Sequence, residues 1–415
     1  MKITIVQNKG FLNGSGGTEK ICSFLANKLS DFYNIEIVTN DNIANGMPVF
    51  PLKKGIKITN IYDKKNDIIN LYEYYNYKGK NPILWFCYKL KKKFLKIKNK
   101  KKLKKIGGVN NLYSHNLNER SKLWKNYFFY CDADIIITMS INTLLEITYF
   151  NKIKIPIINS VNGRPDYDYS DILWYRSELE QNLLTDAYKH LRGIQILFDS
   201  YNYFLPYSFK GISHVIHNPI YQVNNDEIVN HSNAKEKYKI INIASLVTSC
   251  KQQDIVIKIF SNLANKYPNW DLYFWGEGND KENLENLIQK LNLGNRVFLC
   301  GFTPNPIEEL KKSDLFIFPS KYEGFPLALA EAMSVGLPVV GFSNCSGVNE
   351  LIIDNQSGFL CNSNEHMQNN IEKLILDSEL RKKFGLVGHN QMLAYTEKLV
   401  TEKWKSLIDT VYNKK

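Results

Sequence analysis

Residues 315–340, LFIFPSKYEGFPLALAEAMSVGLPVV, decide the fold. Leu315 to Phe318 form a short, uninterrupted apolar run of the kind that parallel strands buried on both faces present. Pro319 and Ser320 end it, and Glu323 and Gly324 occupy the loop beyond. Pro326 then stands where proline is favoured, in the first helical turn, and opens a helix expected over 326–335. A second apolar run at 338–341 closes a strand–helix–strand unit. Glu331, eight positions after Glu323, falls about one turn inside the helix, while Glu323 stays at the strand's carboxyl end. Between them the amides of Phe325, Leu327 and Ala328 are expected to face a cleft with the positive end of the helix behind them. The stretch therefore reads as a phosphate seat with a carboxylate on each side. Ionised carboxylates of this kind suit the vicinal hydroxyls of a sugar.

The same alternation extends in both directions. Strands are expected at 239–244, 271–275, 297–300 and 358–360 around the deciding unit, and at 2–7, 35–39, 56–61, 135–139, 155–159, 195–198 and 214–216 before it. Helical periods intervene, among them 18–30, 253–266 and 280–291. Between the two sets the segment 217–237, HNPIYQVNNDEIVNHSNAKEK, is polar, carries Pro219 and repeats asparagine, a linker composition. The expectation is an α/β protein of two Rossmann-like, doubly wound domains, 1–218 and 219–395, facing an inter-domain cleft. An amphipathic helix, 396–415, follows and is free to pack on either half.

Composition agrees with two globular domains. The chain has 415 residues, 44% hydrophobic and 23% charged, enough for two cores and unlike a disordered or polytopic membrane chain. The formal charge of +12 invites a nucleic-acid reading, but much of the excess lies in one run, KLKKKFLKIKNKKKLKK at 89–105. Lysine suits a diffuse anionic surface better than bidentate base or phosphate recognition, so an anionic membrane is the expected partner and nucleic acid is not. The preceding ILWFCY at 83–88 sets aromatics beside the cations, as in helices lying at a bilayer interface. The bland reading is a solvated lysine-rich helix. Seven widely spaced cysteines with no C-x-x-C pair read as reduced packing residues of a cytosolic protein. The first residues enter a strand directly, with no apolar leader, and no run of about 18 apolar residues occurs, so a soluble or peripheral protein at the inner face of the plasma membrane is expected.

The turn after the first strand, NKGFLNGSGGTEK at 8–20, offers Gly14, Gly16 and Gly17 for positive φ and close approach, with Thr18 as a helix cap. It reads equally as an anion seat and as a tight strand-to-helix turn, and it is not the dinucleotide fingerprint G-x-G-x-x-G.

With these motifs in view, EGFPLALAEAM at 323–333 resembles the E-x7-E motif of retaining glycosyltransferases of family GT4, which have the GT-B fold. The Gly-Gly-Thr-Glu turn at 16–19, SLVTSCKQQD at 245–254, WGEGND at 275–280, VFLCGF at 297–302 and SGVNELI at 346–352 are similar to the family's in order and spacing. The resemblance implies transfer of a sugar from a nucleotide-diphosphate donor, a UDP-sugar first among them, to a saccharide or lipid-linked saccharide in surface-glycan assembly. It implies that Lys251 neutralises the diphosphate, that Glu331 holds the ribose hydroxyls and that Glu323 sits beside the transferred sugar. By the same resemblance Gly324, Phe325, Pro326 and Leu327 supply backbone contacts to sugar and phosphate, Gly16 and Gly17 close over the phosphates, and Cys300 to Phe302 meet the nucleobase edge. No cofactor and no metal is implied, because fixed cations and helix amides replace one.

Two positions depart from the family pattern. Ser245 stands where an arginine often shares the diphosphate. In IPIINSVNGRPDYDY at 155–169, Asn162 stands nearest to a frequent histidine, with Arg164 and Asp166 as further acceptor-side candidates. Asp132-Ala133-Asp134 lies at a strand's amino end, the wrong end for chemistry, and reads as capping; Asp166 and Asp168 lie beyond a carboxyl end and can touch an acceptor. His214 and His217, at the linker, read as hinge packing. Two other readings use the same scaffold: a nucleotide-sugar epimerase, and a non-catalytic partner subunit of a glycosyltransferase complex, which Ser245 favours and the intact Lys251, Glu323 and Glu331 oppose.

Overall fold

The structure, a computed structural model, describes residues 1–414 except Ser15, Ala44, Asn45, Asn76, Lys78 and Lys80. The first sheet contains β1 (Lys2–Gln7), β2 (Asn34–Thr39), β3 (Lys57–Asn60), β4 (Ile135–Thr138), β5 (Ile157–Ser160), β6 (Leu191–Ile196) and β7 (Ile212–Val215). The second contains β8 (Tyr238–Ile243), β9 (Trp270–Trp275), β10 (Val297–Gly301), β11 (Leu315–Phe318), β12 (Val339–Phe342) and β13 (Gly358–Cys361). All neighbouring pairs are parallel, in the orders β3-β2-β1-β4-β5-β6-β7 and β10-β9-β8-β11-β12-β13. Each order reverses once, between β1 and β4 and between β8 and β11, and crevices at such switch points are where doubly wound sheets take ligands.

The helices of the amino half are α1 (Gly17–Leu29), α2 (Pro82–Ile106), α3 (Val109–Phe129), α4 (Ile141–Thr148), α5 (Pro165–Tyr169) and α6 (Glu178–Ala187). In the carboxyl half they are α7 (Thr248–Lys251), α8 (Gln253–Leu263), α9 (Lys281–Lys290), α10 (Pro306–Lys311), α11 (Leu327–Ser334), α12 (Val348–Leu351), α13 (Asn364–Leu376) and α14 (Ser378–Met392), followed by α15 (Glu397–Asn413). The free end of the sequence reading is resolved by α15. Its apolar stripe, Val400, Trp404, Leu407, Ile408 and Val411, is buried with Ile3, Ile5, Ile135 and Ile137 of the amino sheet. The chain thus crosses between domains twice. The crossings lie side by side, with the Ile220 amide donating to the Tyr395 carbonyl at 2.9 Å.

At this double crossing His217 packs edge-on against Tyr395, with ring centroids 4.6 Å apart, and against Phe198 at 5.7 Å. Phe325 of the deciding stretch stacks on Phe198 at 5.6 Å. Burial, with Lys403 adding to it, pushes His217 down to about 4. The neutral ring is therefore what the folded state holds. Stability from this site is complete above the usual histidine pKa of about 6.5 and is lost as pH falls from there to about 4. The loss expected is about 2–3 kcal/mol, and thermal melts should show it between pH 7 and 4.5 in the natural protein but not in His217→Phe.

Between β3 and β4 the chain inserts α2 and α3. Asn81 caps α2 by accepting from the amides of Ile83 and Leu84 at 2.9 and 3.2 Å, and Gly107 ends it with φ of 87°. The preceding coil is strapped to both helices by asparagines acting as backbone surrogates. Asn99 exchanges two hydrogen bonds with Tyr72, at 2.8 and 2.9 Å, and Asn116 exchanges two with Ile69, both at 2.9 Å. Apart from Asn99, every described side chain of α2 is at least partly exposed, including Trp85, Phe86 and Phe94. No helix among the described residues is long and apolar enough to cross a membrane.

Asp132 and Asp134 do what their position suggested. Asp134 accepts from the Lys2 amide at 2.9 Å, and Asp132 pairs with the Lys2 ammonium, so both tie the amino end of β1. Cys22, Cys345 and Cys361 are buried as packing residues, but Cys87 is exposed on α2, because that helix has so little to pack against.

Candidate active site

The switch point of the second sheet brings two loops together. After β8 the chain turns through Ser245 and Val247 into α7, whose last residue is Lys251; after β11 it runs through Lys321 to Pro326 into α11. The Lys321 amide donates to the Cys250 carbonyl at 2.8 Å, fastening one loop to the other. Thr248 fixes the start of α7 by donating from its amide and hydroxyl to Asp280 at 2.8 and 2.9 Å. So held, the Lys251 ammonium pairs with Glu323, both side chains mostly buried, with the Phe318 ring 5.6 Å away.

Glu331 makes the second pair, and its partner comes from the other domain. Lys20 of α1 reaches the Glu331 carboxylate at 3.0 Å. Gly17 stands close by, where an added Cβ would lie 3.9 Å from Leu327. Nothing in the sequence pattern marked Lys20, because its role depends on how the two sheets face each other.

The amino domain closes on this junction most tightly at Gly324. A Cβ there would lie 2.1 Å from the Asn162 carbonyl oxygen and 2.5 Å from Gly163, a distance that only glycine permits. The Tyr201 hydroxyl donates to the Gly324 carbonyl at 2.8 Å and accepts from Ser346 of the 346–352 motif at 3.0 Å. The structure therefore brings together Gly17, Asn162, Lys251, Glu323, Gly324, Phe325, Leu327 and Glu331. A cavity of about 570 Å³ opens beside Glu323 and is lined from both domains, by Asn162, Asp168 and Trp174 on one side and Cys250 and Tyr322 on the other.

Several expectations are corrected. Gly16 has φ of −81°, and the positive φ angles of this turn belong to Gly10 and Asn13 instead. Gly14 is needed for space, since a Cβ would lie 1.9 Å from the Gly10 carbonyl, whereas a Cβ at Gly16 would meet only the mobile end of the Glu19 side chain, 2.5 Å away. Ser15 of the same turn lies outside the described residues. Thr18 does not cap α1: Gly16 is the cap residue, with no side-chain bond, because the helix begins one residue earlier than expected. Pro326 likewise precedes α11 as its cap residue rather than lying in its first turn.

The acceptor-side candidates are engaged internally. Asn162 donates to the Met139 carbonyl at 2.7 Å. Arg164 and Asp166 form a bidentate pair at 2.7 and 2.8 Å, and the guanidinium lies 4.2 Å from the Phe204 ring centroid. Short-range pairing, two residues apart, consumes both. Ser245 is exposed on the rim, its carbonyl accepting from Gln253 at 2.8 Å. Cys300 lies near the end of β10, an edge strand, and Phe302 just beyond it is exposed; neither lines the cavity beside Glu323.

Comparison with known proteins relates part of the sequence to a family. Residues 224–390 match the family described as Glycosyl transferases group 1. An uncharacterized glycosyltransferase of Haemophilus influenzae is 33% identical over 177 residues, covering 42% of this chain and 50% of its own length. Poly(glycerol-phosphate) alpha-glucosyltransferase of Bacillus subtilis is 34% identical over 176 residues, 41% of this chain and 25% of its own. This chain thus spans half or less of these curated relatives. Among solved structures, a Staphylococcus aureus TarM variant in complex with Fondaparinux, alpha-GlcNAc-glycerol and UDP superposes with a TM-score of 0.69 at 17% identity, covering 98% of this chain and 99% of that one. Residues 224–390 are accordingly similar to the glycosyl transferases group 1 family, and the whole chain has the two-domain GT-B fold.

Proposed function

We propose that this protein is a retaining glycosyltransferase of the GT4 type, transferring a sugar from a UDP-sugar or related nucleotide-diphosphate donor to a saccharide or lipid-linked saccharide acceptor in surface-glycan assembly. The observation that carries the reading is the pairing of Lys251 with Glu323 at the sheet's switch point, against the start of α11. With donor bound, the Lys251 ammonium moves to the diphosphate and the Glu323 carboxylate to hydroxyls of the sugar, so each charge keeps a partner throughout. The first-turn amides of α11 lack intrahelical acceptors and add their dipole to the leaving phosphate. Glu331 takes the ribose hydroxyls in exchange for Lys20, whose freed ammonium then supplies the second cation that Ser245 does not. On this reading the exchange compensates for Ser245, the position that favoured a non-catalytic partner subunit.

In the reaction the acceptor oxygen attacks the anomeric carbon from the face the nucleotide leaves, the bond to the diphosphate oxygen breaks, and that oxygen takes the acceptor proton. Position and fixed charge do the work, and no metal is needed. The named relatives add support: one acts on poly(glycerol-phosphate), and the neighbouring TarM structure binds UDP. Thermal-shift measurement tests the donor class. UDP-sugars should raise the melting temperature more than GDP- or ADP-sugars at equal concentration, whereas no shift with any of them would refute the reading.

The reading includes attachment to the inner face of the plasma membrane. Helix α2 carries eleven lysines and no acidic residue, with Lys89 4.6 Å from the Trp85 ring and exposed Phe86 and Phe94 on the same helix. Each lysine near an anionic surface contributes about 1 kcal/mol. Vesicles containing phosphatidylglycerol should co-sediment the protein, and neutral vesicles should not; equal binding to both would contradict the assignment.

A further inference from the structure

Asp166 is neutralised by Arg164, but the carboxylate two residues on is not. Asp168 makes no hydrogen bond and no ion pair among the described residues, although it lines the cavity beside Glu323. Burial pushes its carboxyl up to about 7, with Arg176 pulling the other way and Asp166 adding to the rise. Asp168 remains partly exposed toward the cavity, and a carboxyl there with no donor from the protein can accept from a hydroxyl brought to it.

Its neighbour Trp174 supplies the other half of a sugar site. Trp174 is 55% exposed and lines the same cavity. One face is covered by the Arg176 guanidinium, 4.6 Å from the ring centroid. Arg176 is itself buried and held by donating to the Tyr167 carbonyl at 3.0 Å and to the Ser170 carbonyl, so the indole is fixed without the loss of its other face. Across the cavity Tyr322, edge-on to Tyr167 with centroids 6.1 Å apart, brings the wall back to Glu323. An aromatic plate, a carboxyl without a protein hydrogen-bond partner and a candidate sugar-transfer centre thus share one cavity.

Resting on the function proposed above, we infer that Asp168 and Trp174 form the acceptor subsite: a pyranose ring lies on Trp174 and presents vicinal hydroxyls to the Asp168 carboxylate, which orients the attacking oxygen toward the sugar at Glu323. Asp168 is a specificity and positioning group in this arrangement. The proton still leaves with the diphosphate oxygen.

Saturation-transfer NMR on the full chain tests the subsite without requiring turnover. The probes are UDP, a panel of p-nitrophenyl glucosides, galactosides and N-acetylglucosaminides, and the corresponding octyl glycosides. In the natural protein with UDP present, ring protons of at least one glycoside should be saturated. In Asp168→Asn and Trp174→Ala that signal should fall to the level of a protein-free control, while the UDP signal persists and shows that both variants are folded. Stronger saturation of octyl than of p-nitrophenyl glycosides identifies a lipid-linked source of the acceptor; equal saturation identifies a soluble saccharide. Glycoside signals unchanged in both variants, or absent from the natural protein while UDP is bound, would overturn the subsite. Loss of the UDP signal from the natural protein would instead overturn the donor reading on which it rests.

Discussion

Glu323→Ala should lower the rate of sugar transfer by about 10³-fold or more, corresponding to two charge-assisted hydrogen bonds at about 1.5–3 kcal/mol each. The carboxylate is nearly buried, paired with Lys251 and next to the tight Gly324 contact, so its position is set by both domains. On the function proposed above, removing it takes away the anion nearest to the carbon on which positive charge would develop, and the donor sugar would lose the contact that orients it. On that proposal the nucleotide is assigned to other groups, so its binding should change little. Glu323→Gln separates the two contributions, since the amide keeps shape and hydrogen bonding and loses charge. If charge dominates, the glutamine variant is nearly as slow as the alanine one. Turnover of either variant with acceptor held constant provides the measurement.

Lys251→Ala should act in the opposite order, weakening the donor complex as well as slowing transfer. A fixed cation or donor aimed at developing negative charge is worth about 2.7–4 kcal/mol, or about 10²–10³ in rate. The alanine also leaves the Glu323 carboxylate without its partner, which costs the free protein stability. The melting temperature without ligand should therefore drop, and addition of UDP should restore less of it than in the natural protein. The double variant, Lys251→Ala with Glu323→Ala, should melt higher than Lys251→Ala alone, because no charge is then stranded; a lower melting temperature would show that the two side chains are not coupled.

Both variants concern residues visible in the sequence, and the reason is local. Lys251, Glu323, Gly324 and Glu331 sit within strand–loop–helix units whose order along the chain fixes their order in space. The strands were legible for a related reason: near-continuous apolar runs such as LFIF fit strands buried on both faces of a parallel sheet. One strand was misplaced. The expected 195–198 is β6 at Leu191–Ile196, because Arg192 and Gly193 interrupt the apolar pattern. Gly193 is there for packing that the local pattern cannot reveal, since a Cβ would come within 2.8 Å of Val411 on α15, more than 200 residues later.

The same limit hid the rest of the candidate site. Lys20 is one lysine among many until α1 is set against α11. Tyr201 is one tyrosine among 25 until its hydroxyl meets Gly324. Asn162 gives one amide bond to the Met139 carbonyl and still lines the cavity, Arg164 and Asp166 pair with each other, and only side-chain geometry distinguishes that pair from Asp168. The asparagine straps onto α2 and α3 were invisible for another reason. Asn99 and Asn116 read as ordinary polar helix positions, and their value lies in pairing with a coil that has no periodicity of its own.

A crystal soaked with a UDP-sugar tests the central assignment most directly. Density for the diphosphate between Lys251 and the first turn of α11, with the ribose at Glu331 and the sugar at Glu323, is the predicted result. Density for the nucleotide anywhere else, with the Lys251–Glu323 and Lys20–Glu331 pairs left intact, would contradict it.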